Sequence, residues 1–453
     1  MGVVVELRSK RAFGNVPGRE GGTPAAGEID TAMRALARRR WAWEALPLAR
    51  RIELLDEVIA CGAAVAPEWV GRECERKHVS WGSSVAGEEW WNGPLCALRA
   101  ARRLRVALTK DEPARRAASH CDVATVHRSD AVSSIPFIET IETLFGERHL
   151  VLLQLSTGKL VPVFDRALRP VIDEGFVRIV KGEPVTESGG VTPVIVVPGE
   201  WAEADFERQA QVIATMLTLG ASYEPGAARL LITDRGWRGR DRLLAGVREV
   251  LRGVPNRFAF QSGAQGRFAR FMRAHPDMEL LGTGHSDSLP WGLITNLNPY
   301  GEDLVFTTDP FAPILSEVPL RSPSIPEFIG RAVAFCNERV SGTLVSTVIA
   351  DPRSSRDART AAALKRGIEK LDYRMVTINL PPFVALGDTY LGRESGRHGT
   401  TVIHGAFRTI TKPPWLVTHS HSHDVFRRLV RYEAAPSMAQ VPAIIWHSIR
   451  GER

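Results

Sequence analysis

The fold is decided by the stretch Thr186–Thr233, which reads TESGGVTPVIVVPGEWAEADFERQAQVIATMLTLGASYEPGAARLLIT. Within it, the apolar and β-branched run Thr192–Val197 predicts a buried strand. Apolar residues then recur at helical spacing over Glu203–Leu219, which predicts an amphipathic helix. A turn containing glycine leads to a second predicted strand, Arg229–Ile232. A strand, a helix and a strand in this order are typical of an α/β protein.

An earlier region of the chain alternates in the same way. Helices are predicted over Ser133–Phe145 and Val161–Asp173, and strands over Leu150–Leu155 and Phe176–Val180. Such alternation implies a parallel sheet with right-handed crossovers, that is, a Rossmann-like cofactor domain. From Glu28 to about Leu108 the pattern is helical.

These patterns divide the chain into four segments. Residues 1–27 are rich in Gly and Pro and are expected to form a mobile leader. Residues 28–184 hold the helical and Rossmann-like parts, 185–382 a catalytic-type α/β domain, and 383–453 a C-terminal arm. Within the third segment the sequence predicts helices over Arg240–Leu251, Phe328–Arg339 and Ala358–Leu371, a strand beginning at Leu304–Phe306, and strands over Thr343–Ile349 and Met375–Asn379.

The composition is that of a soluble globular protein, with 44% hydrophobic and 24% charged residues among 453. No apolar run approaches the roughly 20 residues that a membrane span needs, and the N-terminus lacks the apolar core of a secretory signal. The five cysteines have no C-x-x-C spacing and favour a reducing, cytoplasmic compartment. The net charge is +7, but no groove-reading or RNA-binding motif accompanies it, so no nucleic-acid partner is expected.

The motif E-x-G-G-x-x-P occupies Glu187–Pro193, directly before the first strand of the decisive stretch. With the strand, helix and strand that follow, it resembles the start of the catalytic domain in the aldehyde dehydrogenase superfamily. The resemblance implies that Glu187 descends from the general base of that family. The family nucleophile is a cysteine in the turn after the helix, and here Glu224 or Pro225 takes its place. Glu224 is thus the candidate at the catalytic position, although a carboxylate adduct offers no good route to hydride transfer.

The resemblance also implies a site for NAD or NADP, and parts of that site are missing. Gln154 stands where the family has a lysine that contacts the adenosine ribose, and Ala131 stands where it has an oxyanion-stabilising asparagine. Only KGEPVT lies between Val180 and Glu187. Six residues are too few for the helix, strand and phosphate-binding turn that the family carries there.

One further cofactor motif is matched in part. The segment Asp309–Pro313, DPFAP, resembles the family's E-x-F-G-P motif, whose glutamate holds the hydroxyls of the nicotinamide ribose. Asp309 is one methylene shorter than that glutamate. Asp309, Phe311 and Gln154 are therefore the cofactor-binding candidates, and cofactor binding is expected to be weak or lost.

Two other groups of residues invite a chemical interpretation. Cys336 lies on a predicted helix well past the nucleophile turn, and a buried structural cysteine is the better interpretation. His419, His421 and His423 alternate in an extended segment, so two or three imidazoles could reach one Zn²⁺. No cysteine or carboxylate partner stands at ligand spacing. We therefore expect only adventitious metal binding and no metal site.

Taken together, the sequence predicts an α/β protein with a Rossmann-like cofactor-type domain, an α/β catalytic-type domain and a C-terminal arm. The resemblance implies NAD(P)-dependent oxidation of an aldehyde, but only the base of that reaction is clearly present. The expectation is a degenerate copy with little or no dehydrogenase activity. The alternative is a non-catalytic protein that uses the same fold for oligomerisation or partner binding. The tail partly matches the family segment that crosses to a partner subunit, which suggests a homodimer.

Overall fold

The computed structural model describes residues 26–110, 121–128, 131–156, 158–183, 190–283, 287–384, 400–405, 407 and 422–444. The chain divides into two compact units. The first comprises Met1–Glu187 and Pro414–Arg453, and the second comprises Ser188–Pro413.

The first unit combines a helical layer with a small parallel sheet. Its leading helices are α1 (Ala26–Ala37), α2 (Arg40–Glu44), α3 (Leu48–Arg76), α4 (Ala86–Trp90) and α5 (Cys96–Lys110), with a π-helical turn at Trp91–Leu95. Strands and helices then alternate: β1 (Val123–His127), α6 (Ser134–Ile141), a π-helical turn (Glu142–Gly146), β2 (Leu150–Leu155), α7 (Val161–Ala167), α8 (Arg169–Asp173) and β3 (Val177–Lys181). The three strands are parallel in the order β1-β2-β3.

The second unit is built on a larger sheet. Its strands and helices are β4 (Pro193–Val196), α9 (Glu203–Thr218), β5 (Leu230–Asp234), α10 (Arg240–Gly253), β6 (Arg257–Phe258), α11 (Ala264–Ala274), β7 (Glu279–Leu281), β8 (Ser288–Leu289), β9 (Trp291–Ile294), α12 (Leu304–Thr307), β10 (Ile314–Leu320), α13 (Ile325–Arg339), β11 (Val345–Ile349), α14 (Ala358–Lys370), β12 (Met375–Ile378) and β13 (Thr401–His404). The large sheet has the order β13-β12-β11-β4-β5-β10-β9-β7. Its strands are parallel except for β7, which pairs antiparallel with β9.

The C-terminal helix α15 (Ser422–Ala434) belongs to the first unit and packs on α3, α4 and α5. Its Glu433 accepts hydrogen bonds from Arg99 (3.1 Å) and Arg102 (2.6 Å) of α5. This part of the predicted C-terminal arm therefore packs on its own chain. No helix in the described ranges is long and apolar enough to cross a membrane.

The structure corrects two predictions of secondary structure. Leu304–Phe306 lies in the single helical turn α12 and not in a strand, because Asp303 caps that turn by accepting the Val305 N–H at 3.0 Å. The predicted helix Val161–Asp173 is two helices that meet at Leu168. Pro170, near the start of the second helix, cannot donate an N–H to the helix before it and so interrupts the run.

Candidate functional site

Of the residues singled out in the second unit, Glu224, Asp309 and Phe311 lie at the amino edge of the large sheet, the edge where its parallel strands begin. The turn after α9 precedes β5, and the segment Asp309–Pro313 precedes β10, which pairs with β5. Gly190, the second glycine of the E-x-G-G motif, forms a bridge to Gly342 with φ +84°. A Cβ at Gly190 would lie 2.3 Å from the Gly342 Cα, so the motif needs glycine there for close backbone contact. Glu187 and Gly189 lie outside the described residues.

The turn that carries the nucleophile in the family has a strained backbone here. Gly220, Ala221 and Ser222 all have positive φ, at 55°, 55° and 72°. A left-handed conformation costs a residue with a side chain roughly 1–2 kcal/mol, so the surrounding contacts must hold Ala221 and Ser222 in place. Glu224 is buried in this turn, and a Cβ at Gly220 would lie 2.4 Å from the Glu224 Oε1. Glu224 therefore folds back over its own turn.

Arg229 holds this turn to the segment before β10. Its side chain is only 2% exposed. Nη1 donates to the Ser222 Oγ (2.5 Å) and to the Ala312 carbonyl (2.9 Å), and Nη2 donates to the Ser222 carbonyl (2.5 Å). Nε lies 2.9 Å from Oδ1 of Asp309, in the geometry of an ion pair and not of a directed hydrogen bond. We call Ser222, Arg229, Asp309, Phe311 and Ala312 the amino-edge cluster.

Asp309 and Phe311, two of the cofactor-binding candidates, are engaged within this cluster. The Asp309 side chain is 8% exposed, and its Oδ1 also accepts the Phe311 N–H at 2.8 Å. Phe311 is buried, with φ +38°, and its carbonyl accepts a hydrogen bond from Arg267 Nη2 at 3.1 Å. The carboxylate that would bind ribose hydroxyls by resemblance instead neutralises a buried arginine.

The ring of Tyr223 packs on Phe311 of the amino-edge cluster and on Phe260. Its ring lies 4.7 Å from Phe260 and 5.5 Å from Phe311, centroid to centroid. Its hydroxyl has no hydrogen-bond partner among the described residues. Burial raises the pKa of Tyr223 to about 12, although Arg267 and Arg229 lower it in part. Burial also lowers the pKa of Arg267. The phenol is therefore a buried neutral group at physiological pH.

The amino-edge cluster contains a hydroxyl but no activated nucleophile. Ser222 is fully buried, and its Oγ donates to the Ala312 carbonyl (3.4 Å) while it accepts from Arg229. An activated serine needs a base on its proton, and a carbonyl is not one. Cys336 lies in α13 within the apolar core, where burial raises the pKa of its thiol. The prediction that Cys336 is buried is thus confirmed.

Sequence reasoning missed Arg229, Tyr223 and Arg267. One signal was available: Arg229 directly precedes a buried strand that begins with three apolar residues. A buried arginine requires an acidic or carbonyl partner. The partner itself, Asp309, could not be deduced from spacing.

In the first unit, Gln154 lies in β2, opposite His127 of β1 in the register of the sheet. Both are near the carboxyl end of the sheet, where α/β proteins bind nucleotides. His127 Nε2 is 2.9 Å from the Glu183 carbonyl, and a Cβ at Gly182 would lie 2.9 Å from both Gln154 Cβ and His127 Nε2. The crowded backbone after β3 and the uncharged Gln154 do not provide the lysine contact of the family.

These residues therefore differ from the cofactor contacts that the resemblance implies. Asp309 is bound to Arg229, Gln154 carries no charge, and the described sheet of the first unit has three strands, with Gly182 and Glu183 after the last. Ala131 is buried and lacks the side-chain amide of the asparagine that the family has there.

The histidine cluster is only partly described, because His419 and His421 lie outside the described residues. His423 stacks on Trp81 at 4.5 Å between ring centroids. Its Nδ1 accepts a hydrogen bond from Trp90 Nε1 (2.7 Å), and its Nε2 contacts the Trp81 carbonyl. Burial lowers the pKa of His423. Both ring nitrogens are thus engaged, and the described residues contain no group of three potential metal ligands.

Comparison with known proteins places this architecture. No protein-family model matches the chain, and no curated protein matches its sequence. Solved structures do match: the aldehyde dehydrogenase KauB from Pseudomonas aeruginosa has a TM-score of 0.61 and 14% identity over 77% of this chain and 81% of that one. AldH from Staphylococcus aureus has a TM-score of 0.60 and 15% identity over 79% and 86%. The NAD-dependent aldehyde dehydrogenase from Sinorhizobium meliloti has a TM-score of 0.60 and 15% identity over 79% and 80%.

These matches confirm the α/β prediction and the resemblance at the level of the fold. The class of protein is therefore the two-unit α/β class built on parallel sheets. Within it, the chain has the aldehyde dehydrogenase fold.

Proposed function

We propose that this chain keeps the aldehyde dehydrogenase fold without dehydrogenase activity and acts as a non-catalytic binding protein. The observation that carries the proposal is the ion pair between Arg229 and Asp309. Oxidation of an aldehyde with NAD or NADP needs a nucleophile, an oxyanion donor, a base and a seated nicotinamide. By resemblance, Asp309 would hold the nicotinamide ribose, and here its carboxylate is buried against a guanidinium.

The position of the nucleophile supports the same proposal. Glu224 or Pro225 takes the place of the cysteine, and Glu224 is 4% exposed. A carboxylate adduct of an aldehyde gives no thioester and no good route for hydride transfer. Ser222, two residues earlier in the turn, donates to a carbonyl and not to a base. A residual enzyme that acts on an aldehyde or acyl substrate is therefore the less favoured function.

The compartment that we propose is the cytoplasm. All five cysteines are free, and four of them are buried. Buried free thiols without disulfides are typical of proteins kept in a reducing compartment.

The test is a dehydrogenase assay on the full chain. Formation of NADH or NADPH is followed by absorbance with a panel of short aliphatic, branched and aromatic aldehydes, with an active aldehyde dehydrogenase assayed in parallel. We expect no turnover above the rate without protein. Steady turnover that is proportional to protein concentration and saturates with any aldehyde contradicts the proposal.

A further inference from the structure

A second concave site lies in the same unit, at the opposite edge of the large sheet. Its cavity has a volume of about 510 Å³ and lies where β11, β12 and β13 end. Small-molecule sites usually have volumes of roughly 300–1,000 Å³. In parallel sheets, ligands bind in crevices outside the carboxyl ends of the strands. The amino-edge cluster lies where the strands begin, so the two places are separate. We call this second place the carboxyl-edge cavity.

One wall of the carboxyl-edge cavity is apolar. Leu364 and Ile368 come from one face of α14, and Ile378 and Val402 come from β12 and β13. Val402 is 37% exposed, so this wall offers apolar surface to a ligand. Burial of such surface by a ligand is favourable by about 25 cal/mol per Å².

The floor of the cavity is fixed by Asn379. Its backbone is left-handed, with φ +53°. Its side chain accepts the Ala350 N–H (2.8 Å) and donates to the Ala350 carbonyl (2.9 Å). These two bonds join the loops after β11 and β12. Since one side chain locks both loops, the cavity is preformed and a ligand need not order it.

Two opposite charges line the cavity on α14. Lys365 and Glu369 are both exposed and are one helical turn apart. In the described part of the chain, neither forms an ion pair. Side chains at positions i and i+4 of a helix have Cβ atoms about 5–6 Å apart. A cation and an anion at that spacing match the ammonium and carboxylate groups of a small zwitterion.

We propose that the carboxyl-edge cavity binds a small apolar α-amino acid. The ligand carboxylate pairs with Lys365, its ammonium group pairs with Glu369, and its side chain packs on the wall of Leu364, Ile368 and Ile378. A simple carboxylate would leave Glu369 facing a like charge, and a simple amine would do the same to Lys365. A zwitterion satisfies both charges. The proposal does not depend on the loss of dehydrogenase activity.

The test is isothermal titration of the full chain with L-leucine. We expect saturable binding with a dissociation constant of about 0.1–1 mM, as befits a small ligand with few contacts. Lys365→Met and Glu369→Gln should each weaken binding about tenfold, because each removes one charged partner. Lys370→Met, on the same helix but outside the cavity lining, serves as the matched control and should bind as the unaltered protein does.

Two analogues distinguish a zwitterion site from a general apolar pocket. Isocaproate lacks the ammonium group of leucine, and isoamylamine lacks its carboxylate. Both should bind at least about tenfold more weakly than leucine. Thermal melting shows that each variant is folded, which is expected since both altered positions are exposed. The proposal is overturned if leucine does not bind at about 10 mM, or if Lys365→Met and Glu369→Gln bind it as the unaltered protein does.

Discussion

Arg229 and Asp309 form a buried ion pair, with Nε 2.9 Å from Oδ1 and side chains that are 2% and 8% exposed. Arg229 directly precedes β5, and Asp309 lies in the segment before the neighbouring strand β10. The pair thus ties together the two segments that would hold nucleophile and ribose in the aldehyde dehydrogenase family. We expect this ion pair to hold the two segments in place.

Removal of Arg229 should destabilise the protein strongly. In Arg229→Met the Asp309 carboxylate stays buried without its cation, and the strained turn loses the donors to the Ser222 oxygens. We expect the free energy of unfolding to fall by about 3–5 kcal/mol, measured as a lower midpoint in urea. The double variant Arg229→Met, Asp309→Asn should recover part of this loss, since no uncompensated charge remains.

The matched control for that experiment is Arg242→Met. Arg242 pairs with Glu203 at the surface, where both side chains are more than half exposed. Its loss should change the free energy of unfolding by less than about 1 kcal/mol. Equal urea midpoints for Arg229→Met and Arg242→Met would show that the buried pair stabilises the protein no more than the surface pair does.

Much of the fold could be predicted from sequence periodicity. Thr192–Val197 and Glu203–Leu219 correspond to β4 and α9 with ends that differ by at most one residue. The amino-edge cluster could not be predicted, because Arg229 contacts residues far away in the chain, Asp309 and Ala312. Local periodicity records which face of an element is buried, but not which distant polar group will meet it.

Binding of NAD or NADP is expected to be weak. Loss of the lysine contact at Gln154 and of the ribose contact at Asp309 should each cost about 1–3 kcal/mol. Together they correspond to roughly two to four orders of magnitude in affinity. Calorimetric titration should therefore give a dissociation constant far above the micromolar range. Gln154→Lys alone should not restore tight binding, because Asp309 remains bound to Arg229. A micromolar constant for the unaltered protein would overturn this prediction.

The first unit contains a buried charge cluster on α3 and α4 that should be equally sensitive. Lys77 Nζ lies 2.6 Å from Glu89 Oε2 and 3.1 Å from Glu73 Oε2, and the three side chains are at most 1% exposed. Lys77→Met leaves two buried carboxylates without this cation, so we expect the free energy of unfolding to fall by about 3–5 kcal/mol. Lys77→Met combined with Glu89→Leu should be less destabilised than Lys77→Met.

The stability of the single variant Lys77→Met should depend on pH in a defined direction. Burial raises the pKa of Glu89, although Lys77 opposes this effect. The folded protein therefore holds a proton on Glu89 more tightly than the unfolded chain, so this group favours folding at low pH and loses that contribution as the pH rises through its folded pKa. Without Lys77 the pKa should rise further. The difference in urea midpoint between Lys77→Met and the unaltered protein should shrink as the pH falls into the range where carboxylates become protonated. A difference that stays constant with pH would contradict this prediction.

We also propose that the protein forms a homodimer. The tail resembles the family segment that adds a strand to a neighbour, and β13 is the edge strand at one side of the described sheet. Thr401 and Gly405 donate their N–H groups inward, to Arg374 and Ile378. The Val402 N–H therefore points outward. Light scattering at about 50 µM, where a micromolar dimer is largely assembled, should give twice the 49.9 kDa of one chain.

A matched pair of variants tests whether the edge of β13 makes that dimer. Val402→Pro removes the outward N–H without touching the bonds to β12, whereas Val402→Thr keeps it. The proline variant should scatter as a monomer and the threonine variant as a dimer. A monomeric unaltered protein would rule out the dimer, and a dimeric proline variant would rule out this edge as its interface.

The last prediction is that a restored nucleophile will not restore the enzyme. Glu224→Cys and Pro225→Cys are made separately, because either position can correspond to the cysteine of the family. An activated ester should acylate the new thiol, since this requires only a thiolate and an oxyanion donor. Oxidation of an aldehyde should not appear, because hydride must pass to a bound nicotinamide. By resemblance, the Asp309 carboxylate would bind the ribose of that nicotinamide, and here it is paired with Arg229. Residues that act as a unit are strongly non-additive, so one repaired member gains little.

The two reactions are measured side by side on each cysteine variant. Nitrophenol release from an ester reports the thiol, and absorbance of NADH or NADPH with a panel of aldehydes reports hydride transfer. Ala221→Cys, three residues before Glu224 in the left-handed segment, controls for a thiol placed elsewhere in this loop. If Glu224→Cys or Pro225→Cys reduces dinucleotide well above the unaltered protein, then the cofactor site is intact. In that case the Arg229–Asp309 pair does not prevent cofactor binding, since hydride transfer needs both a bound nicotinamide and an aldehyde adduct beside it.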